Sequence, residues 1–368
     1  MMAEPATLKT DQYRNLASRL LLSRQWKNQH LIPLEQPLPL KMLVRAMSLS
    51  MMRGKIDDIQ IKAPIFIIGT PRCGSTMLQE ILSTHEDIAY FTHAMDVFVD
   101  PRTFKAADWL RRTLRLDVRG ERYLKDSVMV DGSSPSEAMR FWGECLKFEP
   151  FSLAPRRMRA SDLQQQDIDR LYDGIKHVID CFRESGGHRF LNKSPALLTE
   201  ILLLQDLFPD ARFVYLVRDG RMVANSLLKL YRLQREQDLK TKHPYFKDQA
   251  FVPYPRVTGL SEHAAQYGLE DVRTTAHVWD ASVKFINEVR PQIRNFHEVR
   301  YEDVLASPRS EINRIFEFCG LPKIKRGKPK LDGLLAKVGV LHHKNSYGSF
   351  DVVESIAGDS LRQYGYLT

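Results

Sequence analysis

The stretch Gly69-Thr-Pro-Arg72-Cys73-Gly74-Ser75-Thr76 holds the most chemically suggestive spacing in the chain. It keeps the G-x-x-x-x-G-x-[ST] pattern of a phosphate-binding loop, with Ser75 where a nucleoside-triphosphate loop carries its lysine. Gly74 permits close backbone approach, Ser75 and Thr76 supply hydroxyls, and Arg72 supplies a planar, permanently charged fork for an equatorial oxygen. The loop is therefore expected to hold a phosphate or sulfate, but not the tail of ATP. Cys73 has two readings here, a thiol with a lowered pKa or a small side chain between ligand-binding neighbours, and the second is the better. A second group lies downstream in Val214-Tyr-Leu-Val-Arg218-Asp-Gly-Arg221-Met-Val-Ala-Asn-Ser226, where Arg218 and Ser226 could hold a second phosphate.

Both groups need a scaffold that brings strand ends together. Ile65–Ile68 is short, apolar and β-branched, and 76–82 behind the loop carries apolar residues at helical spacing. Strand, glycine loop and helix start aim successive backbone N–H groups at an anion. Arg212–Val217 reads as a second buried strand followed by a helix from Asp219, so Arg218 falls where a parallel strand ends and Ser226 two turns into the helix. This alternation predicts an α/β fold, a parallel sheet flanked by helices. Further along, 188–191 and 298–301 read as strands, and 196–208, 274–290, 308–319 and 353–364 as helices. The stretch 86–100 shows little periodicity. Residues 1–60 read as a helical N-terminal extension, 61–368 as the main domain, 101–185 as a largely helical cap, and 232–272 as a long irregular segment rich in aromatics and prolines.

Composition narrows the classes. The chain has 368 residues and a formal charge of +9, with its basic residues scattered apart from the run Lys323–Lys330. That balance suits a polyanionic ligand, and no reading motif for nucleic acid accompanies it. The four cysteines, Cys73, Cys145, Cys181 and Cys319, lie far apart and read as reduced thiols of a cytoplasmic protein. No metal-ligand spacing is present, His342–His343 being an isolated pair. Neither a signal peptide nor a stretch of about 18 apolar residues is seen.

Taken together and in order, the two groups resemble the phosphosulfate- and 3′-phosphate-binding motifs of sulfotransferases that use 3′-phosphoadenosine 5′-phosphosulfate (PAPS), most of all the tyrosylprotein and bacterial branch. Pro71-Arg-Cys-Gly-Ser-Thr-Met-Leu78 is similar to that family's PRSGTT pattern. Asn192-Lys193-Ser194-Pro195, Leu207-Phe-Pro-Asp-Ala-Arg-Phe213, Val299-Arg-Tyr301-Glu-Asp-Val304 and Phe316-Glu-Phe-Cys-Gly-Leu-Pro322 follow its order over roughly 62–322. The resemblance implies a P-loop-type fold and PAPS as sulfuryl donor, with the bisphosphate PAP as product and no metal. It implies that Arg72, Cys73, Gly74, Ser75 and Thr76 bind the phosphosulfate, Arg218 and Ser226 the 3′-phosphate, and Tyr301 the adenine side. Lys193 would stabilise charge on the bridging oxygen, a large term when the cation is preorganised.

The family places its base shortly after the first helix, where this chain reads Tyr90-Phe-Thr-His93-Ala-Met-Asp96. His93 has the better ordinary pKa for taking an acceptor proton, with Asp96 as the alternative and His85 as a weaker one that ends the helix. The tyrosylprotein enzymes carry a glutamate there, so the acceptor is left open among phenols, sugar or lipid hydroxyls and peptide tyrosine, as is a homodimer. Lys344, Ser346 and Ser349 are candidates for the last phosphate contacts. Two other functions stay in view, a P-loop nucleotide kinase and a non-catalytic PAP-binding module. The missing loop lysine opposes the first, and the presence of Lys193 and His93 opposes the second.

Overall fold

The computed structural model describes residues 38–51, 56–98, 100–115, 119–121, 128–149, 152–236, 255–323, 328–338 and 348–368. Its centre is a five-stranded parallel sheet in the order β2-β5-β1-β6-β7. Here β1 is Ile65–Ile68, β2 Ile88–Tyr90, β5 Arg189–Lys193, β6 Arg212–Val217 and β7 Phe296–Arg300. A small antiparallel pair, β3 (Gly120–Glu121) with β4 (Met129–Val130), lies apart from it.

The central strands β1 and β6 are apolar on both faces, as strands covered by helices on both sides must be. Along β1, Phe66 and Ile68 enter one core while Ile65 and Ile67 enter the other, and β6 alternates in the same way. On the first face Phe66 sits 5.8 Å from Phe213 and 6.2 Å from Phe190, ring centre to ring centre. The helices Gln165–Phe182 and Val272–Val289 close over this cluster through Leu171, Ile175, Val278 and Trp279. On the second face the helix Ser75–Leu82 packs Leu78, Ile81 and Leu82 beside Ile312, Ile315 and Phe316 of the helix Pro308–Phe318.

Parallel pairing puts every carboxyl end on one edge of the sheet. From β1 the chain crosses toward β5 and β2, whereas from β6 it crosses toward β7, so the direction of winding reverses between β1 and β6. A crevice opens at such a reversal. Register is what matters for the site: Ile67 of β1 pairs with Lys193 of β5, and Ile68 with Tyr215 of β6.

Most expected elements are present, with some differences. The aperiodic stretch 86–100 contains β2 and the helix His93–Phe98. The helix expected over 196–208 is broken into a 3-10 turn, Pro195–Leu197, and a shorter helix, Ile201–Leu207. Within 101–185 the β3–β4 pair falls between the helices Phe104–Thr113 and Met139–Cys145, and a 3-10 turn, Ala160–Asp162, precedes the helix Gln165–Phe182. The segment 232–272 is less irregular than its composition predicts, because the helix Gly220–Glu236 runs into it and Leu260–Tyr267 is helical. Its aromatic stretch Tyr245–Tyr254 lies outside the described residues, as do Lys344 and Ser346.

Candidate active site

The loop after β1 takes its shape from two glycines and one strained residue. A Cβ on Gly69 would lie 2.6 Å from the Leu216 carbonyl oxygen of the neighbouring strand, an obstacle that cannot move aside. Gly74 has φ +101°, and a Cβ there would lie 2.5 Å from the Tyr301 ring. Between them Arg72 holds φ 72°, a left-handed conformation that non-glycine residues rarely adopt and that marks ligand loops. The turn is closed by the Cys73 N–H donating to the Thr70 carbonyl at 3.2 Å. Gly74 then caps the helix Ser75–Leu82, whose first N–H groups have no partner within the helix itself.

The second motif meets the first directly. Arg72 Nε donates to Ser226 Oγ at 3.0 Å, and an Arg218 guanidinium N–H donates to the Arg72 carbonyl at 3.3 Å. The Arg218 guanidinium also lies 4.4 Å over the Tyr301 ring, while Trp279 Nε1 donates to the Arg218 carbonyl at 3.2 Å. Tyr301 therefore braces both Gly74 and Arg218. Arg221 points elsewhere. It ion-pairs with Asp219 and Glu354 at 2.7 Å and donates to the Tyr366 carbonyl at 2.8 Å, locking the C-terminal helix Phe350–Gln363 behind the site. Ser349 precedes that helix as its cap.

Cys73 belongs to the loop but not to its open side. Its thiol is fully buried, and burial pushes its pKa up although Ser75 pulls the other way. A lowered thiol pKa is thus corrected, and Cys73 fills space beneath Gly69. His85 is likewise structural: its Nε2 meets the Pro322 carbonyl at 2.9 Å, and its Nδ1 accepts from the Asp87 N–H at 3.2 Å.

On the other side of β1, Lys193 ends β5 with 3 % of its side chain exposed, and its Nζ donates to Glu137. Sequence reasoning missed Glu137. Residues 131–138 return beside 91–96: the Ser136 N–H donates to the Phe91 carbonyl at 2.7 Å, and the His93 N–H to the Ser134 carbonyl at 3.1 Å. This segment carries Glu137 to Lys193, and His93 begins a helix on the same sheet edge. Asp96 accepts a hydrogen bond from Ser136, and desolvation pushes its carboxyl up to about 7, with Arg140 pulling it down.

A carboxyl with a raised native pKa contributes stability while protonated and loses it as pH rises through the native pKa. The contribution should be complete below about pH 4 and decline toward pH 7, by an amount on the order of a few kcal/mol. Asp96→Asn is expected to flatten that decline and raise Tm at pH 8, as measured by thermal unfolding across pH. A pH dependence identical to the unaltered protein would show that Asp96 titrates normally.

A sequence model described as the sulfotransferase family matches residues 64–325, which span every element that positions this site. The chain belongs to the sulfotransferase family. Among its relatives, an omega-hydroxy-beta-dihydromenaquinone-9 sulfotransferase of Mycobacterium bovis is 24 % identical over 334 residues, covering 85 % of this chain and 78 % of the relative. A protein-tyrosine sulfotransferase A of Caenorhabditis elegans is 24 % identical over 136 residues, 36 % of this chain and 28 % of the relative. The crystal structure of a sulfotransferase from Mycobacterium avium superposes with a TM-score of 0.53 at 19 % identity, covering 88 % of this chain and 81 % of the other. That likeness supports the P-loop-type fold of this sulfotransferase. Among its described residues no helix is long and apolar enough to cross a membrane, all four cysteines are free and buried, and no group of three or more His, Cys, Asp or Glu is placed to hold a metal.

Proposed function

We propose that this sulfotransferase transfers a sulfuryl group from PAPS to an acceptor hydroxyl and releases PAP. The observation that carries this reading is the hydrogen bond from Arg72 to Ser226, with Arg218 donating back to Arg72. It joins a glycine loop without the ATP-type lysine to a second cationic group, so two anionic ends of one ligand have partners. The residues fit that ligand: Gly69 and Gly74 leave room that a Cβ would fill, and three cations, Arg72, Lys193 and Arg218, flank the loop.

In this reading the amides after Gly74, with Ser75 and Thr76, hold the 5′-phosphosulfate. Arg218 and Ser226 hold the 3′-phosphate, Arg72 spans the two ends, and Tyr301 lies on the adenine side. Bound PAPS supplies a sulfuryl group activated by a bisphosphate leaving group. Lys193 places an ammonium in a nearly dry setting, where a cation aimed at developing negative charge is most effective. His93 takes the acceptor proton at the edge beyond Lys193. The neighbouring Asp96, its carboxyl pushed up to about 7 by desolvation and engaged with Ser136, is the alternative base. Acceptor choice falls to the cap 101–185 together with 232–272. The reading also places the protein in the cytoplasm, where its buried thiols stay reduced.

The acceptor class is tested with sulfur-35-labelled PAPS and a panel of phenols, lipid alcohols, sugars and tyrosine peptides. Label is expected on one hydroxyl class. Tight PAP binding with transfer to none of them would favour the non-catalytic PAP-binding module.

A further inference from the structure

Glu137 is the residue of this site that the reaction above leaves without a role. It is held from three directions. Gln79, buried in the helix that follows the glycine loop, donates to the Ser136 carbonyl at 3.3 Å, and the Ser136 N–H donates to Phe91 at 2.7 Å. Immediately after it, Ala138 holds φ 52°, a left-handed conformation costly for alanine, and the Ala138 N–H donates to Ser136 Oγ at 3.1 Å. Strain of this kind at a non-glycine residue persists only where surrounding contacts over-determine it. The consequence is placement: the Glu137 carboxylate meets the ammonium of Lys193, itself 3 % exposed, while 33 % of the Glu137 side chain stays open to solvent.

A buried ammonium without a counter-charge is costly, and Glu137 supplies that counter-charge to Lys193. When the donor is bound, the same carboxylate stands one lysine away from a polyanion and repels it. The two anions compete for one cation. We propose that Glu137 is a positioning residue that holds Lys193 in the empty site, yields it toward the bridging oxygen when nucleotide enters, and takes it back as the bisphosphate leaves. Its exposed flank gives the carboxylate somewhere to go without breaking the contacts that hold its backbone. The effect is to weaken PAP binding and speed its release. This inference rests on the PAPS reading of the site.

Calorimetric titration with PAP tests it on the full chain. The unaltered protein must bind PAP, and failure at that step would overturn the PAPS reading itself. Glu137→Gln keeps shape and hydrogen bonding but removes the charge, so PAP affinity is expected to rise about tenfold, the scale of one charged contact. The rise should vanish when Lys193→Met is combined with it. Damage to the fold would lower affinity, so a gain separates the two. In the reaction, kcat should fall through slow product release while the KM for PAPS falls with it. Should Glu137→Gln fail to fold, Glu137→Asp, with its charge withdrawn by one carbon, should give a smaller gain of the same sign. Affinity unchanged or reduced in the folded variant overturns the proposal. So does a loss of transfer of about a thousandfold with PAP affinity unaltered, which would make Glu137 the acceptor's base.

Discussion

Lys193→Ala is expected to lower kcat by about two to three powers of ten, the scale of losing one preorganised group aimed at developing charge. PAP should still bind. The reason for so large an effect lies in the sheet. Lys193 is the last residue of β5, held in register against Ile67 of β1, so the strand pairing that fixes the glycine loop also fixes the lysine. Its side chain is enclosed, which keeps water from screening it. Single-turnover measurements separate the loss of chemistry from any change in nucleotide affinity. A kcat within about threefold of the unaltered enzyme would remove Lys193 from the reaction.

The second large effect concerns the choice between nucleotides. Arg218→Ala should reduce affinity for PAP about 30-fold more than affinity for adenosine monophosphate (AMP), the difference being one charge-assisted contact of roughly 2 kcal/mol. Some loss of order at the loop accompanies it, because Arg218 also donates to the Arg72 carbonyl and stacks on Tyr301. That contribution falls on both nucleotides alike and cancels in their ratio. An equal loss for PAP and AMP would make Arg218 a brace of the loop rather than a partner of the 3′-phosphate.

The sheet was legible in the sequence wherever a strand was long enough to show its character. Arg212–Val217 has the bounds its apolar run predicts, and Ile65–Ile68 likewise, because strands buried on both faces are continuous apolar runs. β2 was not legible: three residues give no period, and Ile88–Tyr90 becomes a strand by pairing with β5. The loop residues and the Arg218–Ser226 group were visible because each is local in the chain. Glu137 was invisible for the opposite reason. It lies 56 positions from Lys193, and the return of 131–138 beside 91–96 depends on backbone hydrogen bonds that no spacing announces. Tyr301 was visible as a site residue, but its packing against Gly74 and Arg218 follows from β7 lying beside β6. The same distinction explains Arg221. Three positions after Arg218, it turns away to the C-terminal helix because Glu354 and the Tyr366 carbonyl are there to receive it.

The central claim is that one crevice, at the carboxyl ends of β1, β5, β6 and β7, recognises both phosphate ends of a 3′,5′-bisphosphate nucleotide. Calorimetric titration of the unaltered protein with PAP and with AMP tests it most directly, since the two ligands differ only in the 3′-phosphate. PAP is expected to bind about 100-fold tighter, one to two charge-assisted contacts' worth. Equal affinities for the two nucleotides would contradict the account.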